Sequence, residues 1–64
     1  MIPVRSSAIG AVGYDPHVMR MQIRFVQGHT YTFCGVPQSI FDGLLSASSK
    51  GKYYERYIRD KYHC

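Results

Sequence analysis

The stretch "VMRMQIRFVQGHTYTFC", Val18 to Cys34, decides the fold, because two alternating segments meet there at a glycine. The first segment alternates polar residues with an apolar set that consists of Met19, Met21, Ile23 and Phe25. The second segment places Tyr31 and Phe33 on one face and Thr30, Thr32 and Cys34 on the other. A period of two is typical of half-buried antiparallel strands. We therefore predict a β-hairpin with strands over Val18–Val26 and His29–Cys34.

The length of the hairpin loop decides where Tyr31 and Phe33 point. A two-residue loop at Gln27-Gly28 would place both rings on the arginine face, where they could stack on nucleic-acid bases. A three-residue loop over Val26–Gly28 would place both rings on the apolar face instead.

Turn chemistry favours the longer loop. A two-residue type I′ turn requires a positive φ at both loop residues, which suits Gln27 poorly, whereas the three-residue loop requires it only at Gly28. The hydrophobic pattern favours the same register, because a slip of one residue would divide the apolar set between two faces. We predict that Tyr31 and Phe33 point inward. The outer face then consists of Arg20, Gln22, Arg24, Thr30 and Thr32.

A third strand and a helix flank the hairpin. Ser6–Asp15 is predicted as a strand, in which Gly10 and Gly13 indicate a bend or a close approach of neighbouring backbone. Asp15–His17 has the chemistry of a turn. The first helix is predicted from Pro37, whose missing N–H is not needed in a first turn. Its buried face consists of Ile40, Phe41, Leu44 and Leu45.

The second helix follows a serine cap at Ser48 or Ser49 and continues through the C-terminal segment. Helical spacing predicts a broad apolar face of Tyr53, Tyr54, Tyr57, Ile58 and Tyr62. The opposite face carries Lys52, Arg56 and Arg59, and two ion pairs are spaced for formation, Glu55–Arg59 and Arg56–Asp60. Together the elements predict an α+β fold, with a three-stranded antiparallel meander followed by two short helices packed on one face.

The chain has 64 residues and a net charge of +4, from eight Lys and Arg against four acids. This length predicts one domain, residues 1–64, of marginal stability, and the positive charge favours association with polyanions. Cys34 and Cys64 are expected to be thiols in a reducing compartment, with a bridge between them as the alternative. No apolar run approaches the ~20 residues that span a membrane. The N-terminal stretch does not resemble a secretory signal, so a cytoplasmic location is the default expectation.

Three segments, "SSAIGAVGYD", "FVQGHTYTFCGVP" and "IFDGLLSASSKGKYYERYI", cover the chain from about Ser6 to Tyr62. Together they resemble the KTSC domain, a family named after the C-terminal extension of some lysyl-tRNA synthetases. The central Tyr-x-Tyr of the family stands here as Tyr31-Thr32-Phe33, so the second phenol hydroxyl is missing. Other positions that resemble the family are Gly13-Tyr14-Asp15, Phe25, Gly28, Val36-Pro37, Leu44, Ala47, Ser49, Gly51, Tyr54 and Ile58.

The resemblance implies a stand-alone bacterial or phage protein of about this length, and a link to RNA through the neighbouring tRNA enzyme. The resemblance and the charge pattern together predict a small nucleic-acid-binding domain, with RNA as the favoured nucleic acid. The candidate phosphate contacts are Arg20, Arg24, Lys50, Lys52, Arg56 and Arg59. Neither Arg20 nor Arg24 is expected to have an acid in its own strand or in the paired one. Tyr14 or Tyr53 are candidates for stacking on an unpaired base.

The alternative prediction is a protein-interaction module, or a small inhibitor or adaptor, that acts through the tyrosine-rich second helix. Tyr is enriched at protein interfaces because its body is apolar and its tip is polar. Tyr53 or Tyr62 would then contact a partner or a second copy of the chain.

We expect neither catalysis nor a cofactor. The four acids stand in separate contexts, and "GAVG" lacks the Lys and the helix of a phosphate loop. No Cys–His spacing indicates a metal site or an activated thiol.

Overall fold

A computed structural model describes residues 1–64 as a sheet of four antiparallel strands covered by two helices. The strands lie side by side in the order β1-β2-β3-β4. In chain order the elements are β1 (Ile2–Pro3), β2 (Ile9–Asp15), β3 (Arg20–Phe25), β4 (Thr30–Phe33), α1 (Gln38–Ser46) and α2 (Lys50–Tyr57). The α+β class is therefore as predicted, with four strands where the sequence predicted three. Neither helix is long and apolar enough to cross a membrane.

The additional strand is β1, which pairs with β2 through Ile2 opposite Val12 and Pro3 opposite Ala11. A strand of two residues is too short to show an alternating pattern, so no sequence signal indicated it. Pro3 is compatible with its position because β1 is an edge strand, where a missing N–H breaks no ladder on the free side.

The hairpin of β3 and β4 has the predicted register. Ile23 lies opposite Tyr31, and Met21 lies opposite Phe33. The loop closes as expected, because the His29 carbonyl accepts a 2.9 Å hydrogen bond from the Phe25 N–H and Gly28 has a φ of +103°.

The prediction that both rings of β4 point inward is only half right. Both share the face of Ile23 and Met21, and Phe33 is half-buried. Tyr31, however, is 53% exposed. It lies on the edge strand of the sheet, where its ring packs on one side against Phe25, with ring centroids 5.6 Å apart.

The glycines of β2 mark the features that the sequence predicted. The register shifts between Ile9 and Ala11, so Gly10 forms a β-bulge opposite β3. A Cβ at Gly13 would lie 3.4 Å from Cγ of Met1, which is the close approach of a neighbouring segment.

The turn between β2 and β3 is longer than predicted. It covers residues 16–19, and Met19 has a φ of +53°. The prediction that Met19 belongs to the apolar face of the strand was therefore wrong. Its side chain is 44% exposed, while its carbonyl accepts a 2.8 Å hydrogen bond from the Val36 N–H.

The core lies between the sheet and the helices. It consists of Ile9, Val12, Met21, Ile23, Val36, Phe41, Leu44 and Ile58. α1 starts directly after Pro37, as its fixed φ favours. Phe41 and Leu44 are the buried residues of α1, and the predicted Ile40 and Leu45 are half-buried beside them.

The second helix is shorter than predicted. The Ser49 side chain caps it by accepting a 3.4 Å hydrogen bond from the Lys52 N–H, but α2 ends at Tyr57. The chain then turns, and Asp60 adopts a φ of +60°. Tyr62 is therefore not on the helix, although it still packs half-buried against the core.

The expectation that both cysteines are thiols is not met. The structure joins Cys34 and Cys64 in a disulfide, with their Cα atoms 4.8 Å apart. The two residues are 30 positions apart in sequence. Only the turn after α2 returns the C-terminal segment to the end of β4, so no local pattern indicated the bridge.

Candidate functional site

The open face of the sheet is the surface opposite the helices, and β3 and β4 supply most of its polar side chains. These are Arg20, Gln22, Arg24, Thr30 and Thr32, and all five are exposed. They share this face because strand neighbours alternate between faces while Met21 and Ile23 are buried against the helices. Along the strand, Arg20 and Arg24 are separated by about 13 Å. The face therefore presents two guanidinium groups with amide and hydroxyl groups around them, together with exposed Asp15 of β2 opposite Arg20.

The two arginines differ in their acidic neighbours. Asp15 is the cross-strand partner of Arg20, so the prediction that Arg20 has no acid in the paired strand was wrong. The carboxylate turns toward its own loop instead, where it accepts a 3.0 Å hydrogen bond from the His17 N–H. Arg24 lies between Ala11 and Thr30 and has no acid opposite it. Neither arginine takes part in an ion pair.

The cations of α2 fall into two groups. Lys52 and Arg56 are exposed and form no ion pair. Lys50 is half-buried, and its Nζ donates a 3.0 Å hydrogen bond to the Ala47 carbonyl at the end of α1. Arg59 donates a 2.8 Å hydrogen bond to Glu55, which raises the pKa of Arg59 above its ordinary value. Lys50 and Arg59 are therefore less available to an external anion than the other two.

One of the two predicted ion pairs is absent. Arg59 pairs with Glu55 as expected, but Arg56 does not pair with Asp60. Because α2 ends at Tyr57, Asp60 is not one helical turn beyond Arg56. Its carboxylate lies 3.8 Å from Nε of Arg59 instead.

The structure does not bring the six predicted cations into one patch. Arg20 and Arg24 project from the open face of the sheet, whereas Lys52 and Arg56 belong to the helix layer that covers the other face. A groove of about 1160 Å³ runs beside α2, and Lys52 and Arg56 line it together with Phe25. The molecule therefore has two separate positive surfaces.

The tyrosines that were predicted to stack on a base or contact a partner already make contacts within the fold. The Tyr14 hydroxyl donates a 2.6 Å hydrogen bond to the Val36 carbonyl, and its ring stacks on Phe41 at 5.1 Å. The Tyr53 hydroxyl donates a 3.0 Å hydrogen bond to the Ile40 carbonyl. All the predicted tyrosines, including Tyr62, are half-buried.

Other aromatic side chains are more accessible. Tyr31 is 53% exposed and Tyr57 is 43% exposed, although the sequence assigned both to apolar faces. Their positions explain the difference, because Tyr31 is on an edge strand and Tyr57 ends a helix. Arg5 is a further exposed cation that the sequence reasoning left out, since it stands alone between two strands.

Comparison with protein families gives a match over nearly the whole chain. The model of the KTSC domain matches residues 5–62. The crystal structure of a KTSC domain protein from Yersinia pestis superposes with a TM-score of 0.93 at 39% sequence identity. The alignment covers 97% of this chain and 87% of that one.

Two kinds of relatives are found among known sequences. A protein of Tsukamurella paurometabola is 42% identical over 62 residues, which is 97% of this chain and 92% of the relative. A lysine–tRNA ligase of Nostoc sp. is 27% identical over 62 residues. That alignment also covers 97% of this chain but only 11% of the ligase, so the similarity concerns a small part of the enzyme.

Proposed function

This chain belongs to the KTSC domain family, and from that premise we propose that it is a small nucleic-acid-binding accessory domain that binds RNA through the open face of its sheet. In this proposal Arg20 and Arg24 contact phosphates, and the domain carries out no catalytic step of its own. Lys52 and Arg56 form a secondary positive surface beside α2.

The observation that carries the proposal is the state of the two arginines. Arg20 and Arg24 are exposed on one face, and neither is neutralised by an ion pair. A guanidinium group presents a planar set of donors that matches the oxygens of a phosphate. Gln22, Thr30 and Thr32 surround them with amide and hydroxyl groups, which also donate to phosphate and sugar oxygens.

Similarity to a tRNA enzyme supports RNA as the polyanion. The Nostoc relative bears the name lysine–tRNA ligase, so a segment similar to this chain occurs within a protein that acts on an RNA. The net charge of +4 adds long-range attraction for any polyanion. The proposal rests on these two arguments together with the free arginines.

The mode of binding follows from the side chains available. Phosphate contacts carry no sequence information, so binding is weakly sequence-specific. The exposed ring of Tyr31 lies on the other face of the sheet from the arginines and does not form a stacking platform with them. Electrostatics therefore dominates, and the affinity falls as salt displaces the contacts.

The test is a fluorescence anisotropy titration into labelled single-stranded and structured RNA at two salt concentrations. We expect the Arg20→Glu/Arg24→Glu variant to bind at least about tenfold more weakly, because two phosphate contacts become repulsive. The slope of log K against log salt concentration should also become shallower by about 1.4 for single-stranded RNA, at about 0.7 for each lost phosphate contact.

The matched control is Lys52→Glu/Arg56→Glu, which changes the net charge by the same amount on the other surface. We expect this control to weaken binding less than the Arg20→Glu/Arg24→Glu variant does. Equal losses in both variants would contradict a specific role for the open face, and an absence of binding at low salt would rule out the nucleic-acid function. Circular dichroism spectra of both variants establish that they are folded.

A second candidate is a protein-interaction module, and the exposure of Tyr31 and Tyr57 favours it. In this case the partner contacts would differ from those predicted, because Tyr53 and Tyr62 are half-buried in the fold. Sedimentation velocity over a range of concentrations tests the simplest form, which is self-association. A Tyr31→Ser/Tyr57→Ser variant should then remain monomeric where the unmodified chain associates, and identical profiles would contradict this candidate.

A further inference from the structure

The disulfide between Cys34 and Cys64 holds the C-terminal segment beside the edge of the sheet. Cys34 follows β4 directly, and Cys64 is brought to it by the turn after α2. Sγ of Cys64 lies 3.6 Å from the Thr32 carbonyl oxygen. The bridge therefore lies against β4, which is the last strand of the sheet and has no neighbour on its outer side.

The carbonyl that meets Cys64 belongs to the free edge of β4. The hydrogen bond from the Phe25 N–H to the His29 carbonyl identifies Phe25 and His29 as a hydrogen-bonded pair of the β3–β4 ladder. In an antiparallel ladder such pairs recur at every second residue, so the backbone groups of Thr30 and Thr32 point away from β3. The bridge thus covers part of an edge that would otherwise be open to pairing with another strand.

Little else fastens this segment. The last backbone hydrogen bond in the chain runs from the Lys61 N–H to the Ile58 carbonyl, and residues 62–64 make none. Apart from the bridge, the half-buried side chain of Tyr62 is their contact with the core. Opening the bridge would therefore remove the main restraint on these three residues.

The bridge is also accessible from solvent. Cys64 is exposed and Cys34 is half-buried. Thiol–disulfide exchange requires that a thiolate reach one of the two sulfurs, and the exposed one reacts first when access is limiting.

From this arrangement we propose that the Cys34–Cys64 bond is a reversible thiol–disulfide switch that fastens residues 62–64 over the edge of β4. Reduction releases these residues and uncovers the Thr32 carbonyl. The redox partner is a small-molecule thiol–disulfide couple of the glutathione type.

The exchange balances in two steps. In reduction, a small-molecule thiolate attacks Sγ of Cys64, the Cys34–Cys64 bond breaks, and Cys34 leaves as a thiolate. A second small-molecule thiolate then attacks the mixed disulfide and releases Cys64. Two electrons and two protons pass to the protein, and one small-molecule disulfide forms. Oxidation runs through the same steps in reverse.

The experiment equilibrates the full chain with mixtures of oxidised and reduced glutathione. Free thiols are counted by alkylation and mass spectrometry, and backbone order is measured by ¹⁵N relaxation. We expect both thiols to appear together as the mixture becomes reducing, without denaturant. In the reduced protein, residues 62–64 should become mobile on the fast timescale, while β3 and the core keep their order.

The matched control is Cys64→Ser, which should show mobile residues 62–64 in every mixture. Cys34→Ser should behave in the same way, and it covers the case in which one of the variants does not fold. Three results would overturn the proposal. They are a chain that forms no bridge with oxidised glutathione, a bridge that resists reduction in the folded state, and residues 62–64 that stay ordered after reduction.

Discussion

At Gly43, a side chain would occupy the space that the Tyr53 phenol fills. A Cβ at this position would lie 2.8 Å from Cζ of Tyr53 and would overlap its hydroxyl group. Glycine in the middle of a helix costs up to about 1 kcal/mol relative to alanine. Here that cost is offset by the close packing of α1 on α2 and by the hydrogen bond from Tyr53 to the Ile40 carbonyl.

We expect Gly43→Ala to lower the free energy of unfolding by about 1–3 kcal/mol, the usual range for overpacking. This is opposite to the effect of the same change in a free helix, where alanine is favoured. Urea denaturation followed by circular dichroism measures the change. The control is the same substitution in a Tyr53→Leu background, where the shorter side chain leaves room for the methyl group and the loss should shrink. A more stable Gly43→Ala variant would show that the two helices do not approach as described.

Among the elements, α2 has no fully buried residue and packs through its aromatic side chains. The rings of Tyr53 and Tyr57 lie tilted against each other with centroids 4.7 Å apart. The ring of Tyr54 makes edge-to-face contacts with Phe25 and Phe33, at 5.1 and 6.0 Å between centroids. Burial raises the pKa of both Tyr53 and Tyr54 above the ordinary value, and for Tyr53 the nearby Tyr57 and Tyr62 add to the effect. The packing of α2 is therefore most stable while the phenols of Tyr53 and Tyr54 are protonated.

These shifts predict a loss of stability in alkali. Because the folded state binds these protons more tightly than the unfolded chain, stability is complete below about pH 10, the unfolded pKa of tyrosine. It falls as the pH rises above that value and through the folded pKa. Urea midpoints measured between about pH 8 and pH 11 should show this decline.

The Tyr53→Phe variant should decline less steeply, because one of the two raised phenols is absent. A decline that is the same in both proteins would contradict a role for the packing of Tyr53.

At the scale of the whole molecule, the small core makes the disulfide important. Only nine of the 64 residues are buried, and domains of this size often depend on a staple in addition to their core. The bridge joins residues 30 positions apart and so closes about half of the chain into one loop. Such a loop restricts the unfolded chain and stabilises the fold by that means.

We expect reduction to lower the free energy of unfolding by up to about 3.6 kcal/mol, the loop-entropy value for this separation. Urea denaturation with and without reductant measures it. In the Cys34→Ser/Cys64→Ser variant, reductant should have no effect, and its stability should match that of the reduced chain. Equal stability of the oxidised and reduced forms would mean that the bridge adds strain which cancels its entropic gain.

The candidate site followed from the sequence less completely than the fold did. The open face could be predicted, because Arg20 and Arg24 alternate with residues that the core buries. The separation of the sheet cations from those of α2 could not, since helical spacing says which residues share a helix face but not where that face lies in the molecule. The hydrogen bond from Lys50 to the Ala47 carbonyl could not be predicted either, because it depends on how α2 follows α1.

The sequence by itself determined the α+β class and the hairpin register, because both depend on local physics. Alternation over β3 and β4 and the positive φ that Gly28 supplies are properties of neighbouring residues. Only the tertiary structure decided the addition of β1, the exposure of Tyr31, the role of Gly43 and the Cys34–Cys64 bridge. Each of these depends on contacts between segments distant in sequence, whose closure entropy and packing no local pattern encodes.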